Sequence, residues 1–162
     1  MDIQFSEAEA ARLKRTPAAN LDAEDLALRC EAGVQKGGFG GYVGKEEEAV
    51  SQLCEQALAA DPGNVRALTW LAVKTFYSAN RSTDPKADLK RADELVSRAL
   101  VLDPNYARAH SLKGGILMYQ RHDESVAEYE RALSLDPAMV IAVVGLEGVH
   151  RSLHQYGQRA LS

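Results

Sequence analysis

The sequence predicts an all-α fold: a right-handed superhelical array of antiparallel helix hairpins, an α-solenoid of about seven to eight helices. Three observations carry this. One ending recurs three times, as EQALAADP, SRALVLDP and ERALSLDP, closing at Pro62, Pro104 and Pro137. A helix-length stretch with apolar residues three and four apart precedes each ending. No segment alternates with the period of two that a half-buried strand requires. Recurrence on this scale means stacked units, each burying its apolar face on its neighbour.

Taken in order, residues 1–20 read as a leader or linker helix. The opening MDIQFSEAEAARLKR is polar and amphipathic, without the apolar central run of a secretory signal. Residues 21–63 form the first unit, with helices over 22–36 and 45–60 around a long glycine-rich turn. Residues 64–104 form the second, with helices over 65–78 and 86–102. Its turn, ANRSTDPK, is also long and carries Asp84-Pro85, a helix start signal. Residues 105–137 form the third, with helices over 107–120 and 123–135. In each ending Ala and Leu share a helical face, and the proline, lacking an N–H, stops one helix and opens the next. Residues 138–162 begin like the first helix of a fourth unit, and Tyr156 to Leu161 like the start of its second. Either the array continues as a truncated fourth repeat, or this last helix caps it.

This pattern resembles the tetratricopeptide repeat (TPR), a helix-turn-helix unit of about 34 residues. Ala57, Ala99 and Ala132 fall on its small position, with Leu58, Leu100 and Leu133 following. Leu68, Leu71 and Ala72 match the large-large-small pattern of a first helix, and Gly114 the small position of the third unit. Arg29 and Lys113 depart from it, standing where Leu is usual, so those helices rotate or extend their charges to the surface. Gly114-Gly115 inside a helix costs about 1 kcal/mol per glycine relative to alanine. The segment LKRTPAANLDAEDLALRCEAG is in addition similar to the start of repeat regions that follow bacterial class III nucleotidyl cyclase or winged-helix regulator domains. Cys30 replaces a glycine there. That second resemblance implies part of a larger bacterial signalling or regulatory protein.

Several function classes are disfavoured by the residues themselves. A net charge of −4 argues against a general nucleic-acid or acidic-membrane binder. The longest apolar stretch, 138–146, is too short to span a bilayer. Cys30 and Cys54 lack CxxC spacing and read as two small buried thiols in a reducing cytoplasm, with a disulfide or redox pair as the alternative. The stretch KGGFGGYVGKEEE ends in Gly-Lys like a phosphate loop, but Phe39 stands where the Walker pattern needs glycine and Glu46 where it needs a hydroxyl. Three carboxylates follow, and no strand precedes. His150 and His154 share a helix face without a glutamate after His150 or a third ligand, so no metal site is expected. No cofactor motif and no recognisable catalytic set is present, and the chain is expected not to be an enzyme.

The tetratricopeptide resemblance implies that a protein or peptide partner lies in a concave groove lined by the first helix of each pair. Carried over by repeat position, the groove residues are Arg66, Thr69, Val73 and Phe76 in the second unit. In the third they are Arg108, Ser111, Gly115 and Met118, and the first supplies Glu24, Ala27, Glu31 and Val34. This set suits an apolar segment carrying an acidic group, with Arg66 and Arg108 as charge anchors. The family's carboxylate clamp for chaperone C-termini needs asparagines along the groove, and these positions have none. Phe39 and Tyr42 form a candidate lip on the glycine-rich turn. A second function is self-assembly through Val140, Val143 and Val144, giving a homo-oligomer. A third, nucleotide binding or catalysis at the glycine-rich turn, is the weakest.

Overall fold

The computed structural model describes residues 18–37, 45–118 and 121–159. Seven α-helices run along them, and no strand occurs among the described residues. They are α1 (Ala18–Gly37), α2 (Lys45–Ala60), α3 (Val65–Ser78), α4 (Pro85–Leu102), α5 (Ala107–Leu117), α6 (His122–Leu135) and α7 (Val140–Arg159), with a 3₁₀ turn, Ala79–Arg81, after α3. Sequential pairs α1/α2, α3/α4 and α5/α6 are hairpins. The first helices also touch in series, α1 on α3, α3 on α5 and α5 on α7, so they form one layer.

The three Asp-Pro endings share one hydrogen-bond pattern. The N–H groups of Asp61, Asp103 and Asp136 each donate to the carbonyl of the small alanine four residues back, at 2.8 Å. Each aspartate side chain then accepts from the backbone N–H two residues on: Gly63 at 3.0 Å, Asn105 at 3.0 Å and Ala138 at 3.1 Å. These are Asx turns, which satisfy a backbone N–H of the turn that follows the helix. The alanines themselves are fully buried, as close helix contact requires. Pro62, Pro104 and Pro137 lie in the turns, not at the first position of the next helix as expected; among the described prolines, Pro85 begins a helix.

Three boundaries differ from expectation. Helix α1 begins at Ala18, within the stretch assigned to the leader. Helix α5 ends at Leu117 rather than at 120. Helix α7 runs unbroken to Arg159, so Tyr156 continues it instead of starting a second helix. Neither a proline nor an Asp-Pro ending interrupts that stretch, and an isolated glycine only weakens a helix.

The core centres on α3, whose residues from Val65 to Val73 are all buried. It packs against α1, α2, α4 and α5. A smaller core under α7 surrounds Tyr129. There the double glycine finds its reason: a Cβ at Gly114 would stand 3.0 Å from the Tyr129 ring, and one at Gly145 would stand 2.3 Å from it. The tyrosine fills the space between α5 and α7 that two missing side chains leave. Lys113 reaches across to α4, donating to Asp93 at 2.5 Å and Ser97 at 3.0 Å, while Arg29 pairs with Asp25 at the surface.

The cysteines are not free thiols. Cys30 on α1 and Cys54 on α2 form a disulfide, with Cα atoms 5.0 Å apart. Antiparallel pairing sets the inward faces of the two helices opposite each other, so residues distant in sequence meet. CxxC spacing is irrelevant to that geometry.

Candidate binding groove

The groove positions lie on α1, α3 and α5, and the structure divides them into two sets. At the α1/α3 end the polar groups bond to one another. Arg66 donates from Nε to Glu24 at 2.9 Å and from Nη1 to Glu31. Asn64 caps α3, its Oδ1 accepting from the Ala67 N–H at 2.8 Å, and its Nδ2 donates to the other oxygen of Glu24 at 2.8 Å. Arg66 is only 8% exposed. Burial opposes its charge, but Tyr106, Glu31 and Glu24 outweigh that effect and hold its pKa above the ordinary arginine value. Arg66 therefore ties α1 to α3, and the role expected of it, a charge offered to a partner, is taken up inside the chain. Thr69 and Val73 are buried beside it.

The α3/α5 end differs. The Arg108 guanidinium stacks over the Trp70 ring, 4.5 Å from its centroid, a cation–π contact between neighbouring first helices. Among the described residues no carboxylate pairs with Arg108. Tyr77 lies close enough for Arg108 to act on it: burial raises the Tyr77 pKa and the Arg108 charge works in the other direction. Phe76 meets Tyr77 edge to face with centroids 5.2 Å apart. Gly115 faces Tyr129 and Phe76; a Cβ there would sit 3.4 Å from the Tyr129 hydroxyl and 3.7 Å from the Phe76 ring, in ordinary contact. Phe76, Arg108 and Met118 are half-buried, so they meet solvent; Ser111 is buried. Phe39 and Tyr42 lie outside the described residues. Also among the described residues, no cluster of three or more metal-ligating side chains occurs, and no helix is long and apolar enough to cross a membrane.

No protein-family model matches the sequence, and no curated protein does. Solved structures do match. The first TPR domain of human RPAP3 superposes with TM-score 0.65 at 20% identity, over 86% of this chain and 98% of that one. An O-GlcNAc transferase mutant from Thermobaculum terrenum gives 0.65 at 23% identity over 83% of this chain, which spans 23% of the transferase. The first TPR of Spaghetti (RPAP3), bound to the HSP90 peptide SRMEEVD, gives 0.63 at 20% identity, over 83% of this chain and 95% of that one. The fold is a tetratricopeptide-repeat array.

Within that array, reading by repeat position located α1, α3 and α5 and missed two residues of the site. Trp70, the one tryptophan of the chain, lies one position past a groove residue and supplies the surface on which Arg108 rests. Tyr77 likewise adjoins Phe76. Their signal was an aromatic beside a groove position, but only the α3/α5 contact shows what each ring meets.

Proposed function

We propose that this domain is a non-catalytic protein-interaction module that binds an extended or helical segment of a partner at the α3/α5 end of its groove. Arg108 carries the reading. Trp70 covers one face of the guanidinium, no described carboxylate neutralises it, and half-buried Phe76 and Met118 stand further along α3 and at the C-cap of α5. A planar guanidinium stacked on an aromatic ring keeps its N–H edge for a carboxylate, so the fitting partner has an acidic residue beside an apolar one. The Spaghetti (RPAP3) domain bound to the peptide SRMEEVD supports peptide binding by this fold. The Glu24 and Glu31 carboxylates at the α1/α3 end disfavour a strongly acidic chaperone tail. Thr69, Val73 and Ser111 shape the wall from beneath.

A displayed library of random peptides is the direct test. The domain should enrich peptides with an acidic residue next to an apolar one, and Arg108→Glu should lower their affinity at least tenfold (about 1.4 kcal/mol). Unchanged affinity in that variant would remove the α3/α5 end from consideration. Arg66→Glu is the wrong probe, since it breaks a buried ion pair and unfolds the α1/α3 contact.

A second reading is supported by α7, where Val140, Val143 and Val144 are 72%, 39% and 61% exposed. Three exposed valines on the last helix suit packing against another copy of the chain. A resemblance of 13–33 to bacterial cyclase-linked and winged-helix-linked repeats favours a role within a signalling protein, and the reading frame around this segment would test that. The expectation of a reducing cytoplasm rested on two free thiols, and the Cys30–Cys54 bond removes that support.

A further inference from the structure

We infer that Cys30 and Cys54 are a modification site for a disulfide-forming oxidant, and that the domain works in an oxidising compartment where their bond compensates for the small buried side chains of its first hairpin. In α1 and α2 the described buried apolar side chains are no larger than valine, while Leu26, Val34, Leu53 and Leu58 are only partly buried. The buried set is Ala23, Ala27, Cys30, Val50, Cys54 and Ala57. The second hairpin instead buries Leu68, Trp70, Leu71 and Leu95. Small apolar burial stabilises little, and units of that kind rely on covalent staples.

The connection between the two helices adds to the need. Residues 38–44 read GFGGYVG, so four of seven are glycine, and glycine gives the unfolded chain more freedom to lose. The bond closes a loop with a sequence separation of 24 across that turn. Cross-linking removes conformations from the unfolded ensemble, so it acts where freedom is largest. It also fixes the face of α1 that carries Glu31, and with it the hold on Arg66.

Both cysteines are 0% exposed. An attacking thiolate needs to reach a sulfur, so reductants act only when the hairpin opens, and the bond is a permanent staple rather than a switch. Its formation is balanced. The two thiols lose two protons and two electrons, an Sγ–Sγ bond forms, and the disulfide of a thiol oxidoreductase or small-molecule oxidant breaks to a dithiol. Cytosolic reductants hold that reaction back, and oxidising compartments drive it.

The test uses the full chain made in bacterial cytoplasm and exported to the periplasm, each trapped in acid, denatured and treated with iodoacetamide before intact mass measurement. The exported chain should take no label until reduced and then two, and the cytoplasmic chain should take two directly. An exported chain labelled twice without reduction, or a cytoplasmic chain that takes none, overturns the inference. Hydrogen exchange on oxidised and reduced native protein tests the staple itself. Amides of α1 and α2 should exchange roughly tenfold to a hundredfold faster after reduction, with α5 and α6 unchanged. Equal rates in the two states would refute it.

Discussion

Thr69 and Glu47 show how far single side chains decide energies here. Thr69 is fully buried on α3 and its hydroxyl has no hydrogen-bond partner among the described residues. An unpaired buried polar group is costly, while a methyl of nearly the same size is not, so Thr69→Val should raise unfolding stability by about 1 kcal/mol in urea titrations. A loss of stability would mean that the hydroxyl is satisfied in solution. Glu47, at the start of α2, accepts from Ser78 at 2.7 Å and pairs with Lys74 at 3.3 Å and Arg81 at 3.9 Å. Burial alone would raise its pKa; the Ser78 hydrogen bond and the two cations outweigh it and leave the pKa lowered. A carboxylate with a depressed folded pKa contributes stability above its unfolded value of 4.5 and loses it as pH falls through the folded one. Acid titration of stability should therefore fall below pH 4.5, and Glu47→Gln should flatten that part of the curve. Within the run Glu46 to Glu48, sequence reasoning saw only repulsion of phosphate. Which of the three faces α3 depends on helix phase and on the neighbouring hairpin.

At the scale of elements, the Asp-Pro ending divides its work between two residues. Proline blocks continuation, and aspartate accepts from an N–H of the following turn, three times with the same geometry. Asp103→Ala should cost about 1 kcal/mol in the urea midpoint, while Asp103→Asn, which keeps the acceptor, should cost little. Equal losses in both variants would point to the charge instead. The helices were legible because amphipathic spacing and endings are local signals. The run of α7 to Arg159 was not, because its residues match the start of a repeat equally well. The Tyr129 contact with Gly114 and Gly145 joins residues of three helices, so no window of sequence contains it.

At the scale of the molecule, stacking assigns each face its exposure. The layer of α1, α3, α5 and α7 puts Arg108 on Trp70 and leaves Val140, Val143 and Val144 uncovered. Light scattering over a range of concentrations should show reversible association if those valines pack against a second copy, and Val140→Asp with Val144→Asp should abolish it. A strict monomer in both proteins would sink the self-assembly reading and leave the groove as the only proposed surface.

By itself, the sequence determined the all-helical class, the three hairpins, their endings and the order of the first helices. Periodicity and helix-stop chemistry act within a few residues, so they can be read in one dimension. Only the tertiary structure decided that Arg66 serves the fold while Arg108 meets solvent, that Trp70 is the platform under Arg108, and that Cys30 and Cys54 are bonded. Each of these depends on which partner a side chain finds across a helix interface. The same residue type at equivalent repeat positions met two carboxylates in one unit and an aromatic face in the next.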